Sequence, residues 1–282
     1  MNLLFEEQFN SNIDIIFNDL ANVGILHPES KFFFEIKKKI SKSYLHNLYP
    51  LTEYYNYLLR ENDPSFSLYN LYLTAYASFL DQLLDASRVD PVRKVKITQA
   101  SSYLLLKYFE YLIKTSNPEI VKYFYEYYSK QTEYLVREKE WIYPQTYISK
   151  YLLKSKLHNK EVLLLFPVFL WKINISLKYA IIKKLFINYF SFILLSDDII
   201  DVESDIENQC ITYPIGVYYK IKGKWPKHKK NIDFLLPHFE KLLLNFIQNI
   251  ENAEKDIGYN SIAVEGTISE FRKGLSNRGY HI

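Results

Sequence analysis

Apolar residues recur at three- and four-residue intervals along almost the whole of this chain, with no stretch of strand-like alternation. That period puts apolar side chains on one face of a helix and commits the chain to packing helix on helix. The segments "FFFEIKKKISKSYLHNLY" (32–49), "SLYNLYLTAYASFLDQLLDAS" (67–87) and "VRKVKITQASSYLLLKYFEYLIK" (92–114) each carry such a stripe. Further helices are predicted over about 118–139, 144–157, 160–205, 214–221, 231–255 and 264–275. The third of these is broken near Pro167 and again around Lys172–Ser176. Breakers separate the segments: "YPL" at 49–51, "NDPS" at 62–65, "DP" at 90–91, "NP" at 117–118 and "KGKWPKHKK" at 222–230. With no repeat, linker or shift in composition, residues 1–282 read as one all-α domain, a bundle of about ten helices.

The 282 residues are 48% apolar, enough for one substantial core. A net charge of +3 gives no argument for a nucleic-acid partner. The single cysteine, Cys210, excludes an internal disulfide framework and suits a reducing, cytoplasmic setting. The start "MNLLFEEQFNSNIDIIFNDL" has neither the basic opening nor the cleavage site of a signal peptide. The apolar runs "EVLLLFPVFLW" and "LFINYFSFILL" are too short to span a bilayer, so no stable membrane insertion is expected.

Against this background "LSDDIIDVESDIENQCITYP", Leu195 to Pro214, stands out. Asp197, Asp201 and Asp205 are spaced i, i+4, i+8, with Asp198 and Glu203 between them. On a continuous helix the first three carboxylates stack in one column, and like charges so placed destabilise it by roughly 0.2–0.5 kcal/mol per pair. A second acidic site, "FLDQLLDASR", puts Asp81 and Asp85 four apart at the C-terminal end of another apolar helix. There they meet the negative end of the helix dipole. Taken alone, Asp81 and Asp85 also fit a solvated helix end. Taken together, the two clusters suit a hard divalent ion, since Mg²⁺ takes oxygen ligands and binds through one or two carboxylates plus substrate phosphates.

The run Asp197-Asp198-Ile-Ile-Asp201-Val-Glu-Ser-Asp205 resembles the second aspartate-rich motif, DDxxDxxxD, of the trans-isoprenyl diphosphate synthases. It also resembles the NDxxSxxxE metal motif of class I terpene cyclases. Asp81-Gln-Leu-Leu-Asp85 is similar to the first motif of the same superfamily, DDxxD, with Gln82 in place of the second Asp. The resemblance implies the class I isoprenoid synthase fold, a helical bundle around a central apolar cavity. It implies metal ligation by Asp81, Asp85, Asp197, Asp198, Asp201 and Asp205. The metal would be Mg²⁺, in a cluster of roughly three ions, with Mn²⁺ as a substitute.

Two basic regions extend the resemblance. Lys154-Ser155 lies 43 residues before Asp197 and resembles the Lys-Thr pair that contacts diphosphate in prenyltransferases. Lys150 and Lys154 share a helical face and are the expected diphosphate contacts, with Lys154 also assigned to catalysis; a solvated basic edge is the other reading. At the end of the chain, "FRKGLSNRGY" is similar to the terminus of bacterial terpene cyclases, where an Arg-Tyr pair closes over the diphosphate. Arg278 and Tyr280 are carried over to that diphosphate-binding and catalytic role, although Gly279 separates them; a frayed tail fits as well.

The superfamily divides by the number of diphosphates bound. Residues 1–59 contain no Arg, and "ASRVDPVRK" after Asp85 has only isolated Arg88 and Arg93, so the second anionic pocket of chain-elongating enzymes is missing. The resulting expectation is a Mg²⁺-dependent class I terpene synthase, a carbon–oxygen lyase ionising one prenyl diphosphate of ten to twenty carbons, with farnesyl diphosphate favoured. Two alternatives stand beside it. One is a prenyltransferase, either a short-chain synthase or a squalene/phytoene-synthase-like condensing enzyme. The other is a catalytically silent regulatory homologue. A homodimer is the assembly compatible with the resemblance. The high aromatic content, 17%, fits both a cation-stabilising cavity wall and the composition bias of an AT-rich genome.

Overall fold

The structure, a computed structural model, describes residues 3–27, 30–47, 49–59, 64–85, 91–114 and 179–282, together with positions 122 and 129. Ten α-helices and no strand occur among the described residues, so the all-α expectation holds. Apart from positions 122 and 129, the predicted helices over 118–139 and 144–157, and the first part of 160–205, lie outside the described residues. No helix among the described residues is long and apolar enough to cross a membrane. The chain divides into two compact units, Met1–Tyr123 and Phe124–Ile282, each described by itself below.

The first unit contains α1 (Leu3–Asn22), α2 (Lys31–Asn47), α3 (Tyr49–Leu59), α4 (Pro64–Asp85) and α5 (Pro91–Lys114). Helix α4 is the hub and packs against the other four. It buries Leu71, Tyr72, Ala75, Tyr76 and Phe79, while α5 answers with Ile97, Ala100, Leu104 and Tyr108 at the same three- and four-residue rhythm. Each such large apolar side chain contributes about 1.5–3 kcal/mol when removed from water. Tyr69 of α4 stacks on Tyr111 of α5 at 4.2 Å between ring centroids. Among the polar ties, Asn12 donates to Ser67 at 3.5 Å, and the Tyr72 hydroxyl donates to the Asp19 carboxylate at 2.6 Å. Pro50, Pro64 and Pro91 all stand in first turns, where a missing N–H costs nothing. The "YPL" expected to separate helices therefore starts one.

The second unit contains α6 (Tyr179–Ile200), α7 (Val202–Glu207), α8 (Tyr213–Lys222), α9 (Leu236–Ile257) and α10 (Ile262–Ser276). Residues 188–196 of α6 are buried on every side, the signature of a helix at the centre of its unit. It packs against α9, α10, α8 and α7. Helix α9 presents one apolar stripe, including Phe239, Leu243, Phe246, Ile250 and Ile257, and ends at Gly258 in the left-handed region, φ +80°. Two 3-10 turns, Lys229–Asn231 and Asp233–Leu235, precede it and take up the start of the predicted 231–255 helix. The N-cap of α10 is Ser261, whose hydroxyl accepts from Val264 N–H at 3.1 Å; the Glu254 carboxylate holds Ser261 N–H at 2.9 Å.

Candidate functional site

The acidic motif sits where α6 stops. Residues Leu194, Leu195 and Ile199 are buried, while Asp197 and Asp201 are exposed and Asp198 and Asp205 half-buried. An apolar helix thus delivers its carboxylates to the surface at its own C-terminal end, with no basic residue in the last turn to complement the dipole.

The helix over these residues is not continuous. Asp201, at φ −94° and ψ 4°, falls outside helical geometry and divides α6 from α7. The hydrogen-bond ladder nevertheless crosses the break: Asp201 N–H donates to the Asp197 carbonyl and Asp205 N–H to the Asp201 carbonyl, both at 2.9 Å. The three aspartates of the predicted column therefore remain successive members of one i, i+4 ladder, bent at its middle residue. Beyond them the chain turns sharply. Cys210 N–H reaches back to the Asp205 carbonyl at 2.8 Å and Gln209 N–H to Ile206 at 3.2 Å, with Gln209 itself at φ +56°. That pairing is a Schellman closure made without glycine, at a cost of about 1 kcal/mol.

Asp198 has a structural task. Its carboxylate accepts from the backbone N–H of Tyr213, the first residue of α8, at 3.0 Å. Thr212 occupies the N-cap position, but its own hydroxyl makes no capping bond, so Asp198 serves that end of α8 from 15 residues away. Two hydroxyls beside the motif, Ser196 Oγ and Thr212 Oγ1, are buried without a hydrogen-bond partner. An orphaned buried hydroxyl costs about 1–3 kcal/mol, and native structures hold few of them.

The end of the chain comes to this motif. Arg278 Nη1 lies 3.8 Å from Glu203 Oε2, one residue into α7 from Val202. Gly279, at φ +90°, makes the turn that only glycine adopts without strain. Tyr280 N–H then bonds back to the Leu275 carbonyl at 3.1 Å. This closure sends the side chains on either side of Gly279 to different surroundings. Arg278 stays half-exposed at Glu203, whereas Tyr280 is 5% exposed. Burial, with Asp233 and Glu240 nearby, pushes the Tyr280 phenol well above its ordinary value. Lys229 adds a bond from its ammonium to the Arg278 carbonyl at 3.5 Å. Helix α10 packs closely on the end of α6 at Gly274, where a Cβ would meet Ile200 Cδ1 at 2.9 Å.

Of the residues expected from sequence, Asp197, Asp198, Asp201, Asp205 and Arg278 gather in the second unit around the α6–α7 junction. Asp81 and Asp85 fall on the helical backbone of α4, and their side chains lie outside the described residues. Lys150 and Lys154 also lie outside them. Among the described residues, no group of three or more His, Cys, Asp or Glu side chains converges to hold a metal ion. Glu203 as the partner of Arg278, and the orphaned Ser196 and Thr212 hydroxyls, have no periodic signature in sequence, because each depends on a contact between separate segments.

No protein-family model matches this chain, and no curated protein matches it in sequence.

Proposed function

We propose that the protein is a Mg²⁺-dependent class I terpene synthase, with the isoprenoid synthase fold, that ionises a single prenyl diphosphate. The observation that carries this reading is the aspartate ladder Asp197–Asp201–Asp205, which begins at the dipole-disfavoured end of an apolar helix, with Arg278 paired to Glu203 in the helix that follows. Asp197, in the last turn of α6 with no basic residue to complement the dipole, gains nothing in stability from its place, and its replacement would relieve that cost.

The donor set suits a hard cation. The motif offers carboxylates, with the orphaned hydroxyls of Ser196 and Thr212 beside them and no histidine between Leu195 and Pro214. Asp197 and Asp201 would hold the ion, which keeps waters and takes its remaining ligands from phosphate oxygens. When bound, Mg²⁺ neutralises charge developing on the departing diphosphate. Arg278, paired with Glu203 in α7, contributes a cation that the stronger anion would release from that carboxylate. Asp198 keeps the start of α8 in place and thereby the position of the motif.

The test is diphosphate release from geranyl, farnesyl and geranylgeranyl diphosphates, each alone, with Mg²⁺ and with EDTA. The expected result is Mg²⁺-dependent release with a cyclic or rearranged hydrocarbon in the organic extract, abolished in Asp197→Asn. Absence of release from every single substrate overturns the proposal. Release only on addition of isopentenyl diphosphate would assign the protein to the prenyltransferases instead.

A further inference from the structure

The segment Lys220–Lys230, "KIKGKWPKHKK", holds six lysines and no acidic residue. The chain as a whole has 35 basic and 32 acidic side chains, so the molecule without this corner is acidic overall. Lys220, Lys222, Lys224, Lys227 and Lys230 are exposed, and among the described residues none of these five forms an ion pair. Six like charges this close repel one another, yet the loop is built rather than loose. Gly223 caps α8 at φ +66°, Trp225 stacks on Tyr219 at 3.9 Å, and Pro226 is buried. The Asn231 side chain accepts from Lys227 N–H at 2.9 Å and His228 N–H at 3.1 Å.

Two large apolar side chains emerge from this field. Ile221 is 55% exposed and Phe234 50% exposed. They belong to one surface: Lys222 Nζ lies 4.7 Å from the Phe234 ring centroid, and Tyr218, one turn before Ile221, meets Phe234 edge to face at 6.1 Å. Lysines surrounding exposed apolar tips form the pattern of a peripheral lipid contact, in which cations sit at the headgroups and apolar tips enter the interface. A nucleic-acid surface favours the forked contacts of arginine, which this segment lacks.

We propose that the Lys220–Lys230 corner, with Ile221 and Phe234, docks the protein peripherally on an anionic membrane surface. The inference is independent of the diphosphate chemistry and survives or fails without it. Sedimentation of the full chain with vesicles of phosphatidylcholine alone, and of phosphatidylcholine mixed with phosphatidylglycerol, tests it. Binding is expected to the mixed vesicles only and to weaken as salt is raised. The variant Lys220→Gln/Lys222→Gln/Lys224→Gln/Lys227→Gln, altered only at exposed positions, should bind at least about tenfold more weakly. Ile221→Ser/Phe234→Ser should lose affinity while keeping the salt dependence. Equal binding to neutral vesicles, no binding to either, indifference to both variants, or tighter binding to duplex DNA than to mixed vesicles would each overturn the proposal.

Discussion

Arg278, four residues from the C-terminus, holds its guanidinium 3.8 Å from the carboxylate of Glu203 at the α6–α7 junction. Both side chains are substantially exposed, so the pair contributes no more than about 1 kcal/mol to folding. Arg278→Ala should therefore leave the denaturation midpoint almost unchanged while lowering kcat/KM for a prenyl diphosphate on the order of a hundredfold. Glu203→Gln, which frees the guanidinium, should tighten binding of inorganic diphosphate. Titration calorimetry of both variants checks the pair; weaker binding by Glu203→Gln would place Glu203 among the ligand contacts instead.

Asp198 gives a different outcome from its neighbour Asp197, because its carboxylate already serves Tyr213 N–H. Asp198→Ala removes the cap of α8 and should cost about 1–2 kcal/mol in urea unfolding. Asp197→Asn, at an exposed position, should cost under about 0.5 kcal/mol and act on activity alone. Equal destabilisation by the two variants would contradict this division of labour.

The difference between those adjacent aspartates marks what the sequence could and could not yield. Helices α2, α4, α5, α8 and α10 fall within a few residues of the segments expected from their apolar stripes. Helix α1 has the same stripe, at Phe9, Ile13, Ile16, Phe17 and Leu20, but is not among the expected segments. Helix α3 is hidden by Pro50, since proline both ends helices and opens them. The aspartate column is legible because period alone defines it; the bend at Asp201 is not, since it breaks the helix while sparing the ladder. Arg278 is legible as a terminal cation. Its partner and the burial of Tyr280 follow from the positive φ of Gly279, which a spacing argument does not contain.

Tyr72 predicts how the first unit responds to alkali. Burial above all, then its hydrogen bond to Asp19, raises this phenol far above 10.0. The folded state keeps a proton that the unfolded chain releases, so the stability this group adds is complete below pH 10 and declines as pH climbs past it. The decline is about 1.4 kcal/mol per pH unit for one phenol. Tyr72→Phe should lose about 1 kcal/mol at neutral pH and unfold with a shallower alkaline slope than the natural chain. Urea melts at pH 8 and above pH 10 measure both; identical slopes would exclude Tyr72 as a source of the alkaline loss.

Gly274 and Ile200 make a coupled pair whose sign can be worked out beforehand. Alanine in the last turn of α10 gains up to about 1 kcal/mol of helix propensity over glycine. Its Cβ would stand 2.9 Å from Ile200 Cδ1, however, so the isoleucine must swing aside at the end of α6, one residue from Asp201. The two effects oppose each other in the natural background, and Gly274→Ala alone should change stability by less than about 1 kcal/mol. Valine lacks that terminal methyl. In an Ile200→Val background the same alanine substitution keeps its propensity gain and meets no obstacle, so it should stabilise. A double-mutant cycle in urea should return a favourable coupling of about 0.5 kcal/mol or more. Strict additivity would mean that α10 does not press on Ile200, and that the C-terminal segment bearing Arg278 is positioned by its other contacts, such as the bond from Lys229.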